Sequence, residues 1–316
     1  MNYNIDQEFL ELLKSVPTLS LENPVASRLA LQALVAAIGN DSADNSVNWS
    51  DHCVCVGDGA PDTTVRVYRP DNQQSTRPGL FYIHGGGFVI GDLESEHATC
   101  LSLCRQLGIT LVSTDYRKAP ETPYPGGLED CYAALQWVSA NAESLAIDPH
   151  RLGIFGQSAG AGLAAAITLR ARDQNGPAIC FQYLGIPELD DRLETPSMRQ
   201  FIDTPIWNRP NAELSWEYYL GKQYPRGGRD TPIYAAPARA EDLSGLPPAY
   251  VTTMEFDPLR DEGVLYALKL MQAGVRTELH SYPGTFHGSL LFADAAVSQR
   301  EAQDMITVLR KGLLLE

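Results

Sequence analysis

The sequence predicts an α/β fold: a mostly parallel, doubly wound sheet with a helical cap. Three observations predict it. Short apolar segments of strand length recur between stretches of helical periodicity. From about residue 80 onward the two kinds alternate, which is the rhythm of parallel strands joined by crossovers. That rhythm breaks once, at roughly 187–235, where the chain turns Pro-, Asp- and aromatic-rich and crowds Phe201, Trp207, Trp216, Tyr218 and Tyr219 together.

Taken in order, residues 1–45 read as helical, with Phe9, Leu10, Leu13 and then Leu29, Leu31, Leu34 and Val35 at helical spacing. Segments 53–56 and 65–68 flank a Gly-Asp-Gly-Ala-Pro-Asp turn and predict an opening hairpin. Strands follow at 80–83 and 110–114, with a helix near 95–107 between them. A helix near 127–146 leads to a strand at 151–155, then a helix from 161 and a strand at 179–184. After the break come a strand at 249–254, a helix at 261–273, a strand at 276–282 and a closing helix at 297–313. An insertion between core strands predicts a lid over a substrate pocket, the plainer alternative being a helical excursion that covers the sheet edge. The expected organisation is N-terminal helices at 1–45 contributing to the cap, and a main α/β domain at 46–316 carrying the insertion.

Composition narrows the function. The chain has 316 residues, 44% of them hydrophobic, enough to bury a large core. Its 24 basic and 39 acidic residues leave a net charge of −15. So acidic a surface repels phosphate backbones and anionic lipid, which argues against nucleic acid and against a polybasic membrane attachment. No run approaches the roughly eighteen apolar residues of a membrane span, and the first residues lack the basic and apolar regions of a signal peptide. A soluble cytoplasmic protein is expected. The six cysteines follow no disulfide or metal pattern. His97, Cys100 and Cys104 fall at i, i+3, i+7 of a helix, but no fourth ligand stands nearby, so the expectation is ordinary packing and no metal.

The chemistry centres on Gly156-Gln157-Ser158-Ala159-Gly160. An apolar strand precedes it and a small-residue helix follows. Strand, Gly-x-Ser-x-Gly, helix is the context of a nucleophile elbow, where the turn leaves no room for side chains two residues either side of the serine. This identifies a serine hydrolase with Ser158 as nucleophile.

A serine hydroxyl needs a base, and the base needs an orienting group. In α/β-hydrolases the acid and then the histidine follow the serine in the chain. Only His280 and His287 lie far enough downstream. His280 sits inside a strand pattern, whereas His287 follows the strand end, in a loop at the edge where Ser158 stands. His287 is therefore the expected base. Asp257 ends the 249–256 strand before Pro258 and is the expected acid; Asp261 suits the start of the next helix, and Glu255 lies within the strand's last residues. Oxyanion donors are expected at the Ala159 N–H and at the run His84-Gly85-Gly86-Gly87-Phe88, where two of the three glycines would supply N–H groups. A phosphate loop is excluded: no Gly-Lys-Ser/Thr follows either glycine-rich turn.

With these residues placed, the chain resembles the hormone-sensitive lipase family, the bacterial family IV carboxylesterases. The blocks that carry the resemblance are His84–Phe88 with Gly91-Asp92, Asp115-Tyr-Arg-Lys-Ala-Pro-Glu121 running to Tyr124-Pro125 and Glu129-Asp130, Gly156–Gly160, Asp257-Pro-Leu-Arg-Asp-Glu262, and His287-Gly288. They span about residues 50–316. The resemblance implies an α/β-hydrolase core, a cap that uses the N-terminus, no cofactor or metal, and hydrolysis of short acyl esters by a monomer or homodimer. It carries the triad onto Ser158, Asp257 and His287, and the oxyanion hole onto Ala159 and two of Gly85, Gly86 and Gly87. The chain departs from the family at Gln157, where aspartate is usual, and at Ala161, where glycine is frequent. The expected activity is carboxylic-ester hydrolysis on short to medium acyl esters. The alternatives are an amidase, deacetylase or thioesterase of the same chemistry, or a non-catalytic small-molecule receptor.

Overall fold

Each central strand buries alternate residues on opposite faces, which is why the strands read as unbroken apolar runs. Phe81, Ile83, Val112, Ile154, Leu184 and Val251 face one core layer; Leu80, Tyr82, Leu111, Phe155, Tyr183 and Tyr250 face the other. The structure is a computed structural model and describes residues 3–14, 19–38, 46–57, 59–71 and 75–315. Parts of the expected N-terminal helices, at 15–18 and 39–45, and Asp58 of the expected hairpin turn lie outside the described residues.

The elements run α1 (Gln7–Leu13), α2 (Pro24–Ile38), β1 (Val47–Val54), β2 (Thr63–Pro70), β3 (Arg77–Ile83), α3 (His97–Leu107), β4 (Thr110–Asp115), α4 (Gly126–Ala140), β5 (Ile147–Gln157) and α5 (Ala159–Asp173). They continue with β6 (Phe181–Gly185), α6 (Pro196–Gln200), α7 (Arg209–Leu220), β7 (Ala249–Phe256), α8 (Arg260–Gln272), β8 (Thr277–Phe286) and α9 (Ala296–Gly312). The sheet order is β1-β2-β4-β3-β5-β6-β7-β8. The β1–β2 and β2–β4 pairs are antiparallel and the others parallel. The α/β-hydrolase fold expected from the sequence is the fold observed. Residues of α4, α5 and α8 cover one face, and residues of α3 and α9 cover the other.

Two boundaries differ from the sequence reading. β1 starts at Val47 rather than near 53, because an edge strand with its polar residues exposed carries little apolar signal. α4 stops at Ala140 rather than 146. Asn141 leaves the helical conformation there and its side-chain amide donates to the Trp137 carbonyl at 2.8 Å.

Within 187–235 the chain forms α6 and α7, each capped from its own sequence. Thr195 accepts from the Met198 N–H at 3.3 Å, and Asn208 accepts from the Asn211 N–H at 3.1 Å. The N-terminal segment bonds to this region: the Asn211 side chain accepts from the Leu21 N–H at 3.1 Å and donates to the Leu19 carbonyl at 2.9 Å. Arg28 of α2 donates to the carbonyls of Val89 and Ala119, both at 2.8 Å.

Candidate active site

β5 delivers Ser158 at its C-terminal end. Ser158 has φ +53° and ψ −121°, a conformation costly for a residue with a side chain, on the order of 1–3 kcal/mol. Backbone bonds hold it there. Its N–H donates to the Gly185 carbonyl at 2.8 Å, and its carbonyl accepts from Ala161 at 2.9 Å, Gly162 at 3.1 Å and Glu188 at 3.2 Å. The flanking glycines are sterically required. A Cβ on Gly156 would stand 2.2 Å from the Gly160 carbonyl oxygen, and one on Gly160 would stand 2.2 Å from that of Ile83 and 2.4 Å from that of His84.

His287 follows β8, and its Nε2 lies 2.9 Å from Ser158 Oγ. Its Nδ1 lies 2.7 Å from Asp257 Oδ2, and the other oxygen of Asp257 accepts from the Leu259 N–H at 2.9 Å. All three side chains are buried. Because a carboxylate accepts, Nδ1 carries the proton and Nε2 faces the serine as the acceptor. The structure thus joins the three residues named from sequence spacing in one hydrogen-bonded line.

The glycine run leaves the C-terminal end of β3 and turns back on itself. The Gly86 carbonyl accepts from Val89 at 3.0 Å and Ile90 at 2.9 Å, with φ of +110° at Gly86 and +56° at Gly87. Gly85 lies against the elbow: a Cβ there would be 3.4 Å from Ser158 Cβ. His84 is fully buried, stacked on Tyr116 with centroids 4.3 Å apart. Burial pushes its pKa down to about 4, so it stays neutral. Its Nδ1–H donates to the Gly85 carbonyl at 2.7 Å, and the Tyr116 hydroxyl donates to the His84 carbonyl at 3.1 Å. His84 thereby braces the start of the glycine turn.

The alpha/beta hydrolase fold family profile matches residues 80–291. Carboxylesterase NlhH of Mycobacterium tuberculosis is 40% identical over 245 residues, covering 78% of this chain and 76% of that protein. The chain belongs to the family IV esterases, the hormone-sensitive lipase-like branch of this fold. Esterase LipI of Mycobacterium tuberculosis is 38% identical over 75% of this chain and 74% of its own length. Among solved structures, a bacterial heroin esterase superposes with a TM-score of 0.96 at 50% identity, covering 98% of both chains. Esterase LipW from Mycobacterium marinum superposes with a TM-score of 0.87 at 36% identity, over 98% of this chain and 96% of that one.

Against this family IV frame the other sequence candidates find structural places. His280 stays in β8, stacked on Tyr282 with centroids 4.1 Å apart. Glu255 accepts from the Gly284 N–H at 2.7 Å, and Asp261 lies in the first turn of α8, accepting from the Ser197 N–H at 2.8 Å. The His97 ring bonds the Tyr68 hydroxyl at 3.0 Å, while burial raises the thiol pKa of Cys100 and Cys104. Gln157 lays its side chain over Gly185, where a Cβ would meet its amide oxygen at 2.0 Å. Of Phe201, Trp207 and Trp216 in the insertion, Trp207 reaches the site, 5.7 Å between its ring centroid and that of His287. Phe201 packs on Phe256, and Trp216 on Phe88 and Tyr219.

Sequence reasoning missed a set of buried polar groups beside the elbow. Glu188, Ser215 and Glu262 are each at most 2% exposed. Ser215 Oγ lies 2.8 Å from Glu188 Oε1 and 3.0 Å from the Gly87 carbonyl oxygen. Glu262 accepts from the N–H groups of Leu189 at 2.6 Å and Asp190 at 3.2 Å. Burial raises both carboxyls, Glu188 to about 8 and Glu262 well above the ordinary glutamate value. The available signal was weak: Glu188 stands between Pro187 and Leu189 just past a buried strand, an unusual place for a charge.

Proposed function

We propose that the chain hydrolyses carboxylic esters of short to medium acyl length through a covalent acyl-enzyme at Ser158. The observation that carries this reading is the unbroken line Asp257–His287–Ser158, ending on a hydroxyl held at a strained elbow. His287 Nε2 takes the proton as Ser158 Oγ attacks the ester carbonyl, and Asp257 holds the tautomer and stabilises the imidazolium. The oxyanion is bound by the Ala159 N–H and two of the N–H groups of Gly85, Gly86 and Gly87. Among the described residues none of these four N–H groups donates to a protein acceptor. The imidazolium then protonates the leaving alcohol, and water attacks the acyl-enzyme with the same groups reversing their roles.

The names of carboxylesterase NlhH, esterase LipI and the bacterial heroin esterase support an ester over an amide or thioester. Trp207 supports a confined acyl site, since it stands beside His287 and also against Gly87, where a Cβ would be 2.5 Å from the indole. Residues 1–45 and 187–235 together act as the cap, a reading supported by the bonds between Asn211 and the 19–21 segment.

The test is hydrolysis of p-nitrophenyl esters from acetate to palmitate, with matched anilides, by wild type and Ser158→Ala. Turnover should peak between acetate and octanoate and fall on the order of 10⁴-fold or more in the mutant. Folded wild-type protein that turns over no ester and takes no phosphonate label at Ser158 would overturn the reading.

A further inference from the structure

The Ser215 hydroxyl sits within hydrogen-bond distance of two acceptors and owns one proton. The Gly87 carbonyl oxygen, 3.0 Å away, can only accept, so the hydroxyl proton must point there for that bond to exist. The contact with Glu188 Oε1, at 2.8 Å, is then a hydrogen bond only if the carboxyl itself carries a proton and donates it. Glu188 Oε2 is buried with no protein partner among the described residues. A lone buried oxygen is tolerable as the carbonyl of a neutral acid and very costly as half of a carboxylate.

We propose that Glu188 is a neutral carboxylic acid that positions the oxyanion loop, donating to Ser215 so that Ser215 donates to the Gly87 carbonyl. This rests on the esterase reading above, because it assigns the glycine run as the oxyanion donors. The relay fixes the Gly87–Phe88 peptide plane from one side, and Trp207 presses on Gly87 from another. The Glu188 backbone is anchored as well: its N–H donates to the Ser158 carbonyl at 3.2 Å, and its own carbonyl lies where a Cβ on Gly162 would be 2.1 Å away. Elbow and oxyanion loop are therefore tied together through one residue.

The groups facing Glu188 keep the proton on. Asp257, just past β7, and Glu262 of α8 disfavour a second negative charge, and Glu188 also interacts with Tyr116 and Tyr219. None of these is a cation. Burial is the larger cause, and the pKa is raised to about 8. Once Glu188 loses its proton to solvent, its carboxylate takes the Ser215 proton as a hydrogen bond, and the Gly87 carbonyl is left without a donor. The loop loosens and turnover falls as pH rises through that value.

The decisive experiment pairs spectroscopy with kinetics. In Ser158→Ala protein, which needs no turnover, the infrared difference against Ser158→Ala/Glu188→Gln should show a protonated-carboxyl band at neutral pH that disappears in alkali. Absence of that band at neutral pH overturns the proposal whether or not the chain is an esterase. On p-nitrophenyl acetate, Glu188→Leu and Ser215→Ala should each lower kcat on the order of tenfold with little change in KM. Glu188→Gln, which keeps a donor toward Ser215, should recover most of that loss and lose the alkaline decline of kcat. A Glu188→Gln decline at the wild-type pH overturns the proposal. Wild-type protein with the band but no ester turnover would instead overturn the esterase reading.

Discussion

The elbow after β5 and the loop after β6 leave neighbouring parallel strands at the same edge of the sheet, and they are fixed by different means. At the elbow the main-chain N–H and carbonyl of Ser158 are held by backbone groups, and the sequence requirement is mainly the absence of side chains at Gly156 and Gly160. At 186–191 the backbone is held by side chains from elsewhere in the chain: Glu262 of α8 accepts from Leu189 and Asp190. Asp191 in turn is fully buried, paired to Arg239 at 2.6 Å, and accepts from the Gly227 N–H at 2.9 Å. The residue-type requirement of one loop falls on five adjacent residues, 156–160; that of the other falls on side chains and backbone groups 36 to 73 positions away in sequence. The first can be read from a string of letters, and the second cannot.

The largest effect is expected at the elbow. Alanine is a better helix former than glycine by about 1 kcal/mol, and Gly160 lies in the first turn of α5, so propensity alone favours Gly160→Ala. Sterics decide the opposite. The added Cβ would meet two main-chain carbonyl oxygens, at 2.2 and 2.4 Å, and neither can rotate away. A loss of about 3 kcal/mol or more is expected by denaturant unfolding, together with a drop in ester turnover well beyond tenfold. Wild-type stability in this variant would show that the elbow is less tightly held than its contacts indicate.

The loop after β6 should break more gently. Glu262→Leu fills the site with an apolar side chain but leaves the N–H groups of Leu189 and Asp190 buried without acceptors, at about 1–3 kcal/mol each. Removing the unpartnered Glu262 Oε2 offsets part of this. The expected net loss is about 2 kcal/mol, with activity reduced less than in Gly160→Ala. Stability within about 0.5 kcal/mol of wild type would mean that Glu262 does not hold this loop.

The same contrast explains how much was legible beforehand. Ser158, Asp257 and His287 could be brought together as candidates because motif, chain order and strand ends are local or one-dimensional signals. The central strands were found because burial on both faces writes itself as apolar runs. β1 was placed late because Asn48 and Asp51 face solvent at an edge. Within the insertion, Trp207 could not be told from Phe201 and Trp216, since all three are large and apolar and only tertiary packing brings one to His287. Glu188 and Ser215 lie 27 residues apart and belong to no motif. Glu262 lay inside a recognised block, but nothing in the block says that its carboxyl turns inward to cap backbone N–H groups.

The smallest expected effect tests the charge state of the buried loop. Burial raises Glu262 well above the ordinary glutamate value, with Asp190 the next cause. An unfolded glutamate titrates near about 4.3. The folded state therefore binds this proton more tightly than the unfolded state. The associated stability is complete below about pH 4.3 and is lost progressively as pH rises toward the folded value. Glu188, raised to about 8, adds to the same trend over the same window. Glu262→Gln keeps the acceptor oxygen for Leu189 and Asp190 and removes the titration. Between about pH 5 and pH 8 the wild type should lose more thermal stability than the variant. The difference should appear as a Tm that falls more steeply with pH in the wild type, each kcal/mol moving Tm by somewhat less than the about 2–4 °C typical of a 150–250-residue domain. Parallel curves for the two proteins would mean that Glu262 carries the same charge folded and unfolded, and that the loop after β6 tolerates a carboxylate in its core.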